Sequence, residues 1–186
     1  MTDHPRLVLL AVRWARRQTR GHGVVLAEPR AWWTGRGQCP DVLAWPSPAG
    51  IQGGEGSILV EVKASRADFR ADRAKPIHAR AEDFPGVRRY YLAPAGLIRA
   101  DELPPGWGLL EPHGSGAVLL RGPVPFALSA AGHAVETRIL TSVVVRWQLG
   151  AQWMGAEARF APLGRRPADH AADLAARRGP VQMALL

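Results

Sequence analysis

Hydrophobic positions recur along this chain with two different spacings, and the changes of spacing mark its elements. Over residues 4–20 a helical period gathers Leu7, Val8, Ala11, Trp14 and Ala15 on one side, and Arg6, Arg13, Arg16, Arg17 and Arg20 on the other. This predicts an amphipathic helix with a basic outer face, stopped by Gly21-His22-Gly23. Short apolar runs follow. Residues 24–27 predict a strand ending at Glu28-Pro29, residues 39–45 a second strand and residues 58–64 a third. Pro40 cannot donate to a central ladder, so it belongs at the start of its strand or on an edge. Residues 32–37 read as a turn, and residues 46–57, rich in Gly, Pro and Ser, as an exposed loop.

Ser65-Arg66-Ala67-Asp68 has the pattern of a capping box, with Ser65 as N-cap and Asp68 three residues on, opening a helix that runs to about residue 74. Lys75-Pro76 ends it, and residues 77–86 read as a loop. Residues 88–93 and 117–120 predict further strands, residues 101–110 a tight turn feeding another strand, and residues 112–116 the stretch before the last of them. Residues 134–150 are long enough for a helix despite Val143-Val144-Val145, and residues 168–177 predict a weak helix in an Ala/Arg-rich tail. The order of elements is that of an α/β fold with a mixed central sheet flanked by helices.

One interruption of the pattern carries chemistry. Glu61 and Lys63 stand two residues apart in the apolar run that begins at Ile58, so both side chains leave the same face of the third strand. Charges on a buried strand are costly unless they are paired or hold a metal. Of the 24 basic residues only Lys63 and Lys75 are lysine. Lysine is a compact point charge whose protonation can be shifted, which arginine's cannot. Asp41 lies on the preceding strand, and a hairpin-like connection brings it toward Glu61 and Lys63. The plainer alternative is an edge-strand ion pair with Asp41 as a turn residue. After the third strand, Arg66, Arg70 and Arg73 fall at i, i+4 and i+7, a basic stripe on one helix face, while Asp68 and Asp72 lie on another and repel unless arginines or a cation neutralise them.

Pro40-Asp41 and Glu61-Val62-Lys63, in this order and with these strand contexts, resemble the two motifs of the PD-(D/E)XK nuclease superfamily. The wording of residues 61–73 is similar to its MmcB-type DNA repair branch. The resemblance covers roughly residues 5–112 and implies a restriction-endonuclease-like core. It divides the chain into a nuclease-like core over residues 1–123 and a helical C-terminal extension over residues 124–186, packed on that core. It implies a DNA phosphodiesterase whose Asp41, Glu61 and Lys63 are catalytic and whose Asp41, Glu61 and Val62 carbonyl ligate Mg²⁺ or Mn²⁺. Hard carboxylate oxygens suit those ions, which acidify a bound water and polarise the phosphate. Lys63 is expected to orient that water or neutralise the transition state, with its pKa lowered by a nearby cation and partial burial. The superfamily often adds a first-helix glutamate. This helix has no acidic residue after Asp3, so Glu28 is either its substitute or a surface residue.

Composition agrees with a polyanionic partner. The net charge is +8, and no apolar segment approaches the length of a membrane span, which favours DNA over a membrane, whether single-stranded, duplex or branched. Arginine-rich codon usage is the alternative source of that charge. Arg36, Ser65, Arg66, Arg70 and Arg73 are the expected nucleic-acid contacts, with Ser65 a helix cap before it is a phosphate contact. Trp32, Trp33 and Trp45 offer stacking surfaces for bases or packing surfaces for a core. The six histidines show no metal-ligand spacing. Cys39, alone, excludes an intramolecular disulfide, and a reducing cytoplasm is the expected compartment. The apolar run over residues 7–12 is too short for a secretory signal. The competing function is a nuclease-fold module that binds DNA or protein without cutting, or that pairs with a second copy or another protein through its C-terminal region.

Overall fold

The computed structural model describes residues 4–19, 23–29, 39–46, 56–148 and 159–160. In chain order these form α1 (His4–Gln18), β1 (Val24–Ala27), β2 (Val42–Trp45), β3 (Ile58–Val62), α2 (Arg66–Asp72), α3 (Pro76–Ala79), β4 (Arg88–Leu92), β5 (Gly108–His113), β6 (Gly116–Arg121), α4 (Ala130–Gln148) and β7 (Arg159–Phe160). The strands make one mixed sheet in the order β6-β5-β4-β3-β2-β1-β7. β3 and β4, and β4 and β5, run parallel, and the remaining neighbours are antiparallel. The expected α/β architecture, a mixed central sheet flanked by helices, is the one observed.

Each face of the sheet is covered, because strand residues alternate between two apolar layers. On one face Ile58, Val60 and Val62 of β3 meet Leu7, Ala11, Trp14 and Ala15 of α1, the side of that helix marked by its period. On the other, Leu59 and Tyr91 pack with Phe69 of α2, Ile77 of α3 and Val135 and Ile139 of α4. β3 is thus central, buried along its whole length, and flanked by β2 and β4. That rules out the edge-strand version of the Glu61–Lys63 pair.

Three local expectations need correction. Pro76 does not close a helix into a loop. It opens α3 instead, at a position where its missing N–H costs no helix bond, and a 3-10 turn over Ala81–Asp83 follows. β5 runs on through Pro112 and His113, which are read from sequence as the stretch before the last strand. That is tolerated because β4 pairs only as far as Leu110, so Pro112 leaves no gap on that side. The third predicted strand stops at Val62 and the second begins at Val42. The turn at residues 32–37, most of the loop at 46–57 and the weak helix at 168–177 lie outside the described residues.

The long α2–β4 connection is held from two sides. The buried Arg89 guanidinium donates to the carbonyls of Gly86, Ala81 and Phe84 and sits 4.3 Å from the Phe126 ring centre. Glu136 of α4 accepts from the Trp45 indole (3.2 Å), the Gly86 N–H (2.9 Å) and the Ser57 hydroxyl. One carboxylate therefore fastens α4 to β2, to the start of β3 and to the connection.

Ile139 is fully buried, whereas Val144 on the same helix is 49% exposed. Ile139→Ala should cost about 2–5 kcal/mol, and Val144→Ala under about 0.5 kcal/mol, in urea unfolding. Equal effects would mean that α4 does not seal this face of the sheet.

Candidate functional site

Pro40 builds the site by what it lacks. β1 and β2 pair so that the Glu28 N–H donates to the Asp41 carbonyl (2.7 Å), which turns the backbone groups of Asp41 toward β1 and those of Val42 toward β3. Along β3 the groups facing β2 are therefore those of Val60 and Val62. Continuing the register beyond Val42↔Val60 sets Asp41 beside Glu61 and Pro40 beside Val62. Proline has no N–H, so it offers nothing to the Val62 carbonyl. The Val62 N–H, on the same edge, donates to the Asp41 carboxylate, Oδ2 at 2.6 Å. In an extended strand a residue's N–H and C=O share an edge, so this carbonyl faces the same side as Asp41.

Glu61 and Lys63 share the opposite face of β3 from Val62, and their charges are paired there. The Lys63 ammonium lies 3.1 Å from Glu61 Oε2 and 2.8 Å from Asp72 Oδ1. Asp72, 1% exposed, also takes Lys75 Nζ (2.7 Å) on Oδ1, and on Oδ2 the Tyr91 hydroxyl (2.6 Å) and His78 Nε2 (3.2 Å). Tyr91 stands next to Glu61 in the parallel ladder and stacks on Trp107 at 4.5 Å between ring centres. Two charged strand residues are thus tied to α2, α3 and β4 through one aspartate.

Protonation follows from these contacts. Burial pushes the Lys63 pKa down, but the Glu61 and Asp72 carboxylates outweigh it and hold the ammonium above its ordinary value. The expected lowering of Lys63 is therefore not what its surroundings produce, because the two carboxylates outweigh the burial. Burial also works against the Asp72 charge. The donors around it, His78 and Lys63 foremost, more than compensate and depress its pKa. Glu61 goes the other way. Burial first, then the neighbouring Asp41 carboxylate, raise it to about 7 despite Lys63.

That last shift tests whether the residues fit a divalent cation. Two carboxylates face each other across β2 and β3 with too little positive charge between them, the condition a hard cation relieves. Asp41 Oδ1 and Glu61 Oε1 make no backbone or side-chain hydrogen bond beyond His4 among the described residues, and the Val62 carbonyl is turned to the same side. The donor set is all oxygen, which fits Mg²⁺ or Mn²⁺.

The other expected contacts are placed differently. Ser65 is the N-cap of α2, its Oγ accepting from the Asp68 N–H at 3.1 Å. Arg66 forms a two-pronged pair with Glu102 (2.7 and 2.5 Å), and Arg73 donates to the Glu102 carbonyl (2.5 Å). The stripe predicted to be open is thus partly occupied by the connection between β4 and β5. Arg70 is exposed and makes no hydrogen bond among the described residues. Trp45 is half-buried and engaged with Glu136. Arg36, Trp32 and Trp33 lie outside the described residues.

Sequence reasoning missed Asp72, His78 and His4. The sequence pattern puts Asp72 with Asp68 on a helix face other than that of the arginines. Asp72 lies three residues after Phe69, the one large apolar residue of α2, and that spacing turns it inward. His78 carried no spacing signal, since it joins Asp72 through the fold of α3. His4, at the start of α1, lies 3.4 Å from Asp41 Oδ1 and 3.8 Å from Glu28 Oε1. Glu28 is therefore at the site's edge, with its backbone in the left-handed region (φ 45°) where β1 ends.

No known family profile matches the chain, and no curated protein matches it either. Among solved structures it is similar to a protein of unknown function from Silicibacter pomeroyi, with a TM-score of 0.58 and 22% identity, over 83% of this chain and 99% of the other. That likeness concerns the fold.

Removing the Asp72 charge would leave Lys63 buried with only Glu61. Asp72→Asn should lower stability by about 3–5 kcal/mol at neutral pH, read by urea unfolding. The folded-state pKa of Asp72 lies below its ordinary 3.8, so its contribution is present above that value and lost as pH falls through the folded value. Wild-type stability should drop below about pH 4, and the Asn variant should lose that part of the drop. Glu61, raised from 4.5 to about 7, acts in a separate window, where stability declines as pH rises. An unchanged acid limb in the variant would show that Asp72 does not carry it.

Proposed function

We propose that this chain is a divalent-metal-dependent nuclease that hydrolyses DNA phosphodiester bonds, in repair or processing, in the cytoplasm. The observation that carries the reading is the convergence at one end of the central strand: Asp41 opposite Glu61, the Val62 carbonyl freed by Pro40, and Lys63 on the same strand. It is the arrangement implied by the resemblance to the PD-(D/E)XK superfamily. No helix among the described residues is long and apolar enough to cross a membrane.

Asp41 and Glu61 hold Mg²⁺ or Mn²⁺, with the Val62 carbonyl as third ligand. When bound, the cation supplies charge neutralisation at the phosphoryl oxygens and an acidified water. Lys63, kept protonated by its two carboxylates, acts as a fixed positive charge beside the scissile phosphate and not as a base. Asp72, Tyr91 and His78 hold that ammonium in place and lie behind the chemistry. Of the basic stripe, Arg70 is the freest to meet a phosphate. Arg66, Arg73 and Ser65 border the same surface, and Arg36 is assigned to it from sequence.

The rival is a nuclease-fold module that binds DNA, or a protein or second copy through residues 124–186, without turnover. What favours it is that Lys63 is already neutralised by two carboxylates and Arg66 by Glu102.

Asp41→Asn, close in shape to the native residue, and Lys63→Ala should each lower Mg²⁺- or Mn²⁺-dependent cleavage of single-stranded, duplex and flap DNA by at least about 100-fold. Salt-sensitive DNA binding should persist, with urea unfolding reporting any loss of fold. Undiminished cleavage by Asp41→Asn would remove the proposed role of the site. DNA binding indifferent to metal, without cleavage by the wild type, would leave the binding module.

A further inference from the structure

We infer that His4, Glu28 and Asp41 form a second cation site, one that prefers borderline transition metals such as Mn²⁺, Co²⁺ or Zn²⁺ to Mg²⁺. The inference goes beyond the nuclease reading and stands on the geometry of these three residues, whether or not the chain cuts DNA.

Three elements meet at this end of the sheet. β1 and β2 are locked together by the Glu28 N–H on the Asp41 carbonyl, so the two carboxylates leave adjacent strands at one level. α1 packs across those strands and brings its first residue, His4, over them. The potential ligand atoms of the three side chains all lie within 4.8 Å of one another. His4 Nε2 is 3.4 Å from Asp41 Oδ1 and 3.8 Å from Glu28 Oε1. A cation with bonds of about 2.1 Å holds its ligand atoms about 3.0–3.4 Å apart, so the two His4 distances are at coordination spacing or within a few tenths of an ångström of it, and the Glu28 and Asp41 oxygens, within 4.8 Å of each other, have to close on the ion. At 3.4 Å the hydrogen bond between the imidazole and Asp41 is long, so an ion that comes between them displaces a weak contact.

The chemical class follows from the donors. One imidazole nitrogen with two carboxylate oxygens suits Mn²⁺, Co²⁺ and Zn²⁺, whereas Mg²⁺ takes oxygen ligands and keeps its waters. This separates the cluster from the all-oxygen set of Asp41, Glu61 and the Val62 carbonyl. The side chains of His4 and Glu28 are 38% and 45% exposed and that of Asp41 16%, so the cluster is anchored on its strand side and open to solvent for ion exchange. Asp68 of α2 adds further negative field at His4. Asp41 is common to both sets.

The test is equilibrium binding to the untagged chain, using Co²⁺ visible absorption and Mn²⁺ calorimetry beside Mg²⁺. Wild type is expected to take up Co²⁺ with a ligand-field spectrum. His4→Ala and Glu28→Gln, both on half-exposed side chains, should weaken Co²⁺ and Mn²⁺ binding at this site at least tenfold and leave Mg²⁺ binding unchanged. Glu61→Gln should keep the His4-dependent Co²⁺ spectrum. If His4→Ala and Glu28→Gln bind Co²⁺ with wild-type affinity and spectrum, or the wild type shows no saturable Co²⁺ binding, the site is refuted. Mg²⁺ binding that Glu61→Gln leaves unchanged would instead count against the nuclease reading, so the two fail separately.

Discussion

The burial of one ammonium in the middle of the sheet constrains everything around it. Lys63 follows the central strand and is almost wholly removed from water, so its charge has to be met inside the protein. Glu61 meets half of that need from the same strand, and Asp72 meets the rest from α2. Once Asp72 is committed to Lys63, its other lone pairs collect Lys75, Tyr91 and His78, which fixes α3 and β4 against the same point. The position of α2 is thus set as much by this ion network as by Phe69 and its apolar contacts.

A second constraint acts on the opposite side of β3, where a missing hydrogen does what a side chain cannot. Pro40 interrupts the β2–β3 ladder two residues before β2 begins, and the Val62 N–H takes the Asp41 carboxylate in place of a backbone carbonyl. Asp41 is thereby aimed, and the strand's carbonyl is left facing it. Glu61 is left buried beside a carboxylate it repels, so burial first and Asp41 second raise its proton affinity despite Lys63, while the donors around Asp72 lower that of Asp72. A site with opposed shifts on neighbouring carboxylates is poised to accept positive charge.

The arginines illustrate how surface chemistry depends on neighbours far along the chain. On the isolated helix, Arg66, Arg70 and Arg73 form a stripe. In the folded chain the turn at Ala100–Glu102 lies against two of them and answers their charge, which leaves Arg70 in the open. α4 behaves similarly. Its apolar residues do not describe one clean face, yet Val135, Ile139 and Glu136 are each engaged with the sheet or its connections.

Much of this molecule is legible in its residues. The period of α1, the existence of the strands β1 through β6, the Ser65 cap and the same-face placement of Glu61 and Lys63 are local properties, set by backbone geometry within a few residues, although β2, β3 and β5 begin or end elsewhere than the pattern puts them. Pro40 also announces the start of its strand without reference to any other strand. What the residues could not announce is which distant groups answer a charge: Asp72 for Lys63, His78 for Asp72, Glu102 for Arg66, His4 for Asp41. Those pairings join segments that share no period and no fixed spacing, and they exist only because the sheet and its helices bring them within a few ångströms. Electrostatic partners are chosen by distance in space, which local sequence does not encode.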